Sequence, residues 1–167
     1  MLNPSEIYDV DPEVAAQVEA RTVNGAGPVL VHAVRGFVDA GNAGQLAAEH
    51  LVDELPTTRL ATFDVDQLLD YRSRRPSMVF VEDHWESYEE PSLALHLLRD
   101  EMGTQFLMLA GPEPDVQWER FIAAVTGLID RFGVRLTVFE LDPHGRAAHP
   151  AGQRHRPRHR QGAAGRP

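Results

Sequence analysis

The sequence predicts an α/β fold with a mainly parallel sheet, on three observations. Short apolar runs rich in β-branched residues recur at residues 28–34, 59–65, 78–81, 105–110 and 134–139. Pro, Gly or charged residues bound them, as they bound buried strands. Between several of these runs lie stretches with apolar side chains at i, i+3 and i+4, the spacing of a helix with one core face. Signals for tight hairpins are largely missing, so helical crossovers are expected to join the strands.

The chain opens with a polar segment and a short helix. Asp11 can cap that helix, Pro12 stands in its first turn, Glu13 suits its dipole, and Val14 and Val18 form its stripe. Asn24-Gly25-Ala26-Gly27 then leads into the strand at 28–34. From Ala43, the spacing of Leu46, Ala47, Leu51 and Leu55 predicts a helix with those residues on its core face, ended by Pro56. The strand at 59–65 finishes on Asp64 and Asp66, and residues 67–76 are polar, with Arg72, Arg74 and Arg75 close together. A short strand at 78–81 runs into Glu82-Asp83-His84-Trp85.

Ser92 follows Pro91 as a candidate N-cap for a helix reaching Met102 and closed by Gly103. The strand at 105–110 turns through Gly111-Pro112-Glu113-Pro114-Asp115 into the clearest helix of the chain. There Trp118, Phe121, Ile122, Val125, Leu128, Ile129 and Phe132 keep a 3.6-residue period, and Gly133 ends it.

With 167 residues the chain holds one domain's worth of core. The absence of cysteine excludes disulfides, thiolate catalysis and Cys-ligated zinc. All 16 basic residues are arginine, which excludes lysine Schiff-base chemistry and a P-loop lysine. No apolar run approaches a membrane span, so a cytoplasmic protein without membrane partners is expected. The formal charge of −9 is unevenly spread: the first 141 residues carry 10 arginines against 24 acidic side chains, a net −14. So acidic a body argues against nucleic acid as a partner.

After Leu141 the composition changes. Residues 142–167 contain no Val, Ile, Leu, Met or aromatic side chain, but six Arg, four His, four Pro and four Gly. Such a segment buries too little apolar surface to offset its ordering entropy. Residues 1–141 are therefore expected to form the α/β domain, and 142–167 a disordered tail. The abrupt change also fits a shifted GC-rich reading frame. His144, His149, His155 and His159 lack a ligand spacing on any definable element, so no metal site is read there.

In an open α/β sheet, ligands bind beyond the carboxyl ends of the strands. Asp39, Arg72, Arg74, Arg75, His84, Glu113 and Asp115 gather at those ends as candidates for ligand binding or for an interface. Gly36 and Gly41 flank Asp39 before a helix, where backbone N–H groups could face an anion. Asp39 would repel phosphate, and a helix cap is its simpler role. The three arginines could clamp a carboxylate or phosphate; in so acidic a protein a salt-bridged loop or an interface patch is the simpler reading. His84, beside Trp85, reads as acid–base residue or partly buried structural group. Glu113 and Asp115 also suit a helix N-terminus for its dipole alone. No nucleophile–base pair, metal ligand set or cofactor motif is found, and no cofactor is expected.

Three motifs in order, Gly36-Phe37-Val38-Asp39-Ala40-Gly41, Asp70-Tyr71-Arg72-Ser73-Arg74-Arg75-Pro76 and Gly111-Pro112-Glu113-Pro114-Asp115 with Trp118-Glu119-Arg120-Phe121, resemble the proteasome assembly chaperone 2 family. The likeness is strongest to its actinobacterial branch and covers about residues 5–138. The matching positions are Gly36, Phe37, Asp39, Gly41, Asp70, Tyr71, Arg72, Arg75, Pro76, Gly111, Glu113, Pro114, Asp115 and Trp118. The resemblance implies a three-layer α/β/α sandwich similar to purine nucleoside phosphorylases, incomplete here because bacterial members are longer. It also implies self-association and proteasome subunits as possible partners, since eukaryotic relatives help build proteasome α-rings. It carries over no catalytic residue. A non-catalytic assembly protein is the function expected from it; the alternative is a carboxylate- or phosphate-binding protein or an ATP-grasp-like ligase working at the strand-end edge. Archaeal relatives dock through a C-terminal hydrophobic-Tyr-X motif, whereas this chain ends Gly165-Arg166-Pro167.

Overall fold

Strand β2 (Val29–Arg35) lies between β7 (Gln105–Pro112) and β8 (Leu136–Phe139), and the three run parallel. The structure, a computed structural model, describes residues 2–22, 27–36, 42–76, 78–88 and 90–139. Helix α3 (Trp118–Arg131) carries the chain from β7 to β8, the kind of crossover that parallel strands need. Beyond β7 come β6 (Ala94–Arg99), β3 (Thr57–Phe63) and β1 (Tyr8–Val10), each antiparallel to its neighbour. The order is β1-β3-β6-β7-β2-β8. The α/β class is as expected, but the six-stranded sheet is mixed: only β7, β2 and β8 are parallel.

The departure has a local cause. Residues 92–102, expected as a helix capped by Ser92, form β6 and the turn that follows it. Leu93, Leu95 and Leu97 face one side of the sheet and Ala94 and Leu98 the other; all five are buried. A strand buried on both faces is a continuous apolar run, which periodicity alone does not separate from a buried helix. The turn to β7 is closed by the Asp100 N–H on the Thr104 carbonyl (2.9 Å) and by the Thr104 N–H on Asp100 Oδ1 (2.7 Å). So short a connection allows only an antiparallel pair.

Helices cover both faces. On one, α1 (Pro12–Thr22) contributes Val14, Ala15 and Val18, and α3 contributes Phe121, Ala124 and Leu128, packed against Leu30, Leu95, Leu107 and Leu109 of the sheet. Asp11 caps α1 as expected, its Oδ1 accepting from the Glu13 and Val14 N–H groups at 2.9 and 3.0 Å. On the other face, α2 (Ala43–Glu54) sets Ala48 against Ala33 and Met108. Its core face is the expected one only in part: Leu51 and Leu55 pack against this cluster, but Gly44 and Ala48 are the buried positions, and Ala47 and Leu46 (64% exposed) turn outward. Small residues at 44 and 48 let the helix lie close to the sheet, and close packing sets which face turns inward.

The expected strand at 78–81 exists as β4 (Met78–Val81), but not in this sheet. It pairs with β5 (His84–Tyr88) in a separate two-stranded hairpin. Asp39, Gly41 and the expected disordered tail at 142–167 lie outside the described residues.

Candidate functional site

The parallel register Arg35↔Pro112 brings the carboxyl ends of β2 and β7 side by side, and the Glu113 N–H extends the ladder to the Arg35 carbonyl at 2.8 Å. Gly36 lies next to the Glu113 side chain, whose carboxylate occupies the space a Cβ at residue 36 would need. Its missing side chain thus admits Glu113. The antiparallel register Ala94↔Ala110 brings the chain entering β6 to the same edge. Gly111, at φ +139°, passes so close to Ser92 and Leu93 that no side chain fits there.

Residues 64–76 fold over this edge and are tied to it. The Asp115 and Val116 N–H groups bond the Leu68 carbonyl at 2.9 and 3.2 Å. Asp115 also receives the Asp70 N–H on Oδ2 (3.0 Å) and pairs its Oδ1 with Arg74 Nη2 (2.9 Å). Arg74 Nη1 donates to the Glu113 carbonyl at 3.0 Å. The structure therefore brings Arg74, Glu113 and Asp115 together, with Arg74 held by the protein's own acceptors. Asp70 shapes the turn below, accepting from Ser73 Oγ (2.6 Å) and the Arg72 N–H (2.9 Å). Those bonds, Ser73 first, hold its carboxyl below the usual carboxylate range.

Arg72 and Arg75 are exposed. Arg75 lines a hollow of 200 Å³ with Arg35, Arg74, Pro76, Glu90 and Pro112. His84 belongs elsewhere. It stands at the hairpin turn with its side chain 63% exposed and its Nδ1 3.1 Å from Asp83 Oδ1, so the expectation of a partly buried histidine is corrected. Its neighbour Trp85 is 61% exposed and stacks edge-on against Phe80, the ring centroids 5.0 Å apart.

Two arrangements escape the sequence reading. Arg120 is buried, and its guanidinium donates to the Asn3 carbonyl (2.9 Å), Gln67 Oε1 (2.9 Å), Gln117 Oε1 (3.0 Å) and Glu6 Oε2 (3.1 Å). A signal for it exists in the sequence. Arg120 stands four residues before Ala124 and eight before Leu128, on the core face of α3. The second arrangement is a hollow of 330 Å³ between α2 and the sheet, lined by Arg35, Gln45, Glu49, Asp53, Glu90, Ser92 and His96 over a floor of small residues. Strand alternation puts Arg35 on the face of Val31 and Ala33, which is the signal for it. Among the described residues, no group of three or more histidines and carboxylates is arranged to hold a metal.

The family model described as PAC2 family matches residues 33–140. The chain belongs to the PAC2 family. Among solved structures, a Mycobacterium tuberculosis protein of unknown function is 52% identical (TM-score 0.74), over 80% of this chain and 44% of its own. A Corynebacterium glutamicum protein of unknown function is 40% identical (TM-score 0.70), over 80% of this chain and 48% of its own. A proteasome-assembly chaperone homologue of M. tuberculosis is 25% identical (TM-score 0.59), over 66% of this chain and 48% of its own. The resemblance read from the three motifs, actinobacterial relatives included, is thereby borne out. The matched part of this PAC2 chain spans under half the length of each of these proteins. No curated protein matches it. Among the described residues, no helix is long and apolar enough to cross a membrane.

Proposed function

We propose that this PAC2 family chain is a non-catalytic assembly protein of the cytoplasm that works by binding proteins, copies of itself included. The observation that carries this reading is the β4–β5 hairpin. Met78, Val79, Phe80 and Trp85 are all exposed on a two-stranded unit that pairs with no strand of the main sheet. A lone hairpin is marginally stable in water, and exposed apolar side chains such as the touching Phe80 and Trp85 rings give it a surface for a partner to cover. Val116, Trp118 and Ile122 add a second exposed apolar group at the start of α3.

Proteasome subunits are the partner class suggested by the relative described as a proteasome-assembly chaperone homologue. The engagement of Arg74 by Asp115 and the Glu113 carbonyl supports a structural role for that arginine over a ligand clamp. The net acidic body speaks against nucleic acid.

The test is light scattering after size-exclusion chromatography on the full chain and on a Phe80→Ser/Trp85→Ser double variant, with capture of proteasome α-subunits in parallel. The expected result is an oligomer that the double variant converts to a monomer with an unchanged melt. A chain that stays monomeric at every concentration and captures no subunit would overturn the proposal.

A further inference from the structure

We propose that the hollow between α2 and the sheet, walled by Arg35, His96, Glu49 and Asp53, binds a small zwitterion with a carboxylate at one end and an ammonium group at the other. The hollow exists because its floor is built from Ala33, Ala48, Ala110 and Gly111, where larger side chains would fill the space between helix and strands. At 330 Å³ it stands at the lower end of ligand cavities, which run roughly 300–1,000 Å³. Its ligand is correspondingly small.

The charges select the class. Arg35 is half-buried at the end of β2, and among the described residues no hydrogen bond or ion pair engages its guanidinium. This is so although Glu49, Asp53 and Glu90 line the same hollow. A planar guanidinium in this setting matches a carboxylate in two parallel bonds. Glu49 and Asp53, one turn apart on α2, supply the opposite charge, and Gln45 Nε2 steadies Glu49 Oε1 at 2.7 Å. A phosphate or other polyanion would be repelled by the three carboxylates, and a bare divalent cation by Arg35. His96 adds a further polar group; burial, with Arg59 on the neighbouring strand, keeps its imidazole uncharged near neutral pH, when it can both donate and accept.

This inference rests on neither the hairpin nor any partner, so it stands or falls apart from the assembly reading. The test is calorimetric titration of the full chain with 4-aminobutyrate and 6-aminohexanoate, and with butyrate and butylamine as the one-charge controls. At least one ω-amino acid is expected to bind roughly tenfold more tightly than either control. Arg35→Gln should abolish the preference over butylamine, and Glu49→Gln/Asp53→Asn, at exposed helix positions, the preference over butyrate. Circular dichroism melts of both variants separate loss of binding from loss of fold. No saturable binding by either ω-amino acid, or binding indifferent to both sets of folded variants, overturns the proposal.

Discussion

Arg74 and Asp115 meet at 2.9 Å, joining the turn at residues 70–74 to the segment that leads into α3. The Asp115 side chain is only 18% exposed, and its second oxygen accepts the Asp70 N–H. Asp115→Ala leaves that N–H without its acceptor and the guanidinium with the Glu113 carbonyl alone, and is expected to cost about 1–3 kcal/mol. Asp115→Asn keeps one acceptor oxygen and should cost less. Arg74→Ala should fall below both, because the arginine side is solvated and exposed pairs contribute about 0–1 kcal/mol. Urea unfolding midpoints of the three variants give the ranking; Arg74→Ala as the most damaging would refute it.

Arg120 is the stronger fastener. Its four bonds reach the N-terminal segment through Asn3 and Glu6, and the 64–70 turn through Gln67. Arg120→Met fills much of the same space but removes four hydrogen bonds from a buried guanidinium to half-buried or exposed acceptors, and should cost about 1.5–3 kcal/mol by denaturant unfolding. Limited proteolysis should then cut first near residues 3–7, whose tether is gone. A variant that melts like the parent would mean that these bonds contribute nothing net.

The hairpin makes an optical prediction. The protein's two tryptophans, Trp85 and Trp118, are both partly exposed. In a Trp118→Phe variant the emission reports Trp85 alone. Emission should shift to the blue as protein concentration rises, because association buries the indole. Emission that holds at its solvent-exposed wavelength across the association range would remove the hairpin from the interface.

How much of this was legible in the sequence depended on how each segment buries its apolar side chains. Helix α3 presents one face to the core, so its period shows plainly, and α1 shows its cap at Asp11. Strand β6 is buried on both faces and so reads as helix or strand alike. In α2 the inward face is marked by Gly44 and Ala48, which hydrophobic periodicity overlooks in favour of larger Leu46. Arg74 and Asp115 were found as residues, but their pairing joins positions 41 apart in the chain, a relation that no local pattern encodes. The corrected face of α2 is testable: Leu46→Glu should change stability by no more than about 0.5 kcal/mol. Leu98→Ala, in the cluster beneath that helix, should cost about 2–5 kcal/mol.

The last prediction concerns pH. His32 shares a strand face with Leu30 and Val34 in the core beneath α1 and α3, and burial lowers its pKa from 6.5. His96 is lowered by burial first and by the Arg59 charge second. For both, the folded state resists a proton that the unfolded state accepts, so acidification favours unfolding. Their stabilising contribution is complete above the unfolded value of 6.5 and is lost as pH falls from there towards the lowered folded values. Asp70 acts with the same sign at lower pH, its contribution present above 3.8 and lost below it. Urea midpoints should therefore decline between about pH 7.5 and 5.5. The His96→Gln variant should flatten that decline in part, and His32→Gln/His96→Gln should remove most of it. A parent profile already flat across this window would show that neither histidine resists protonation in the fold.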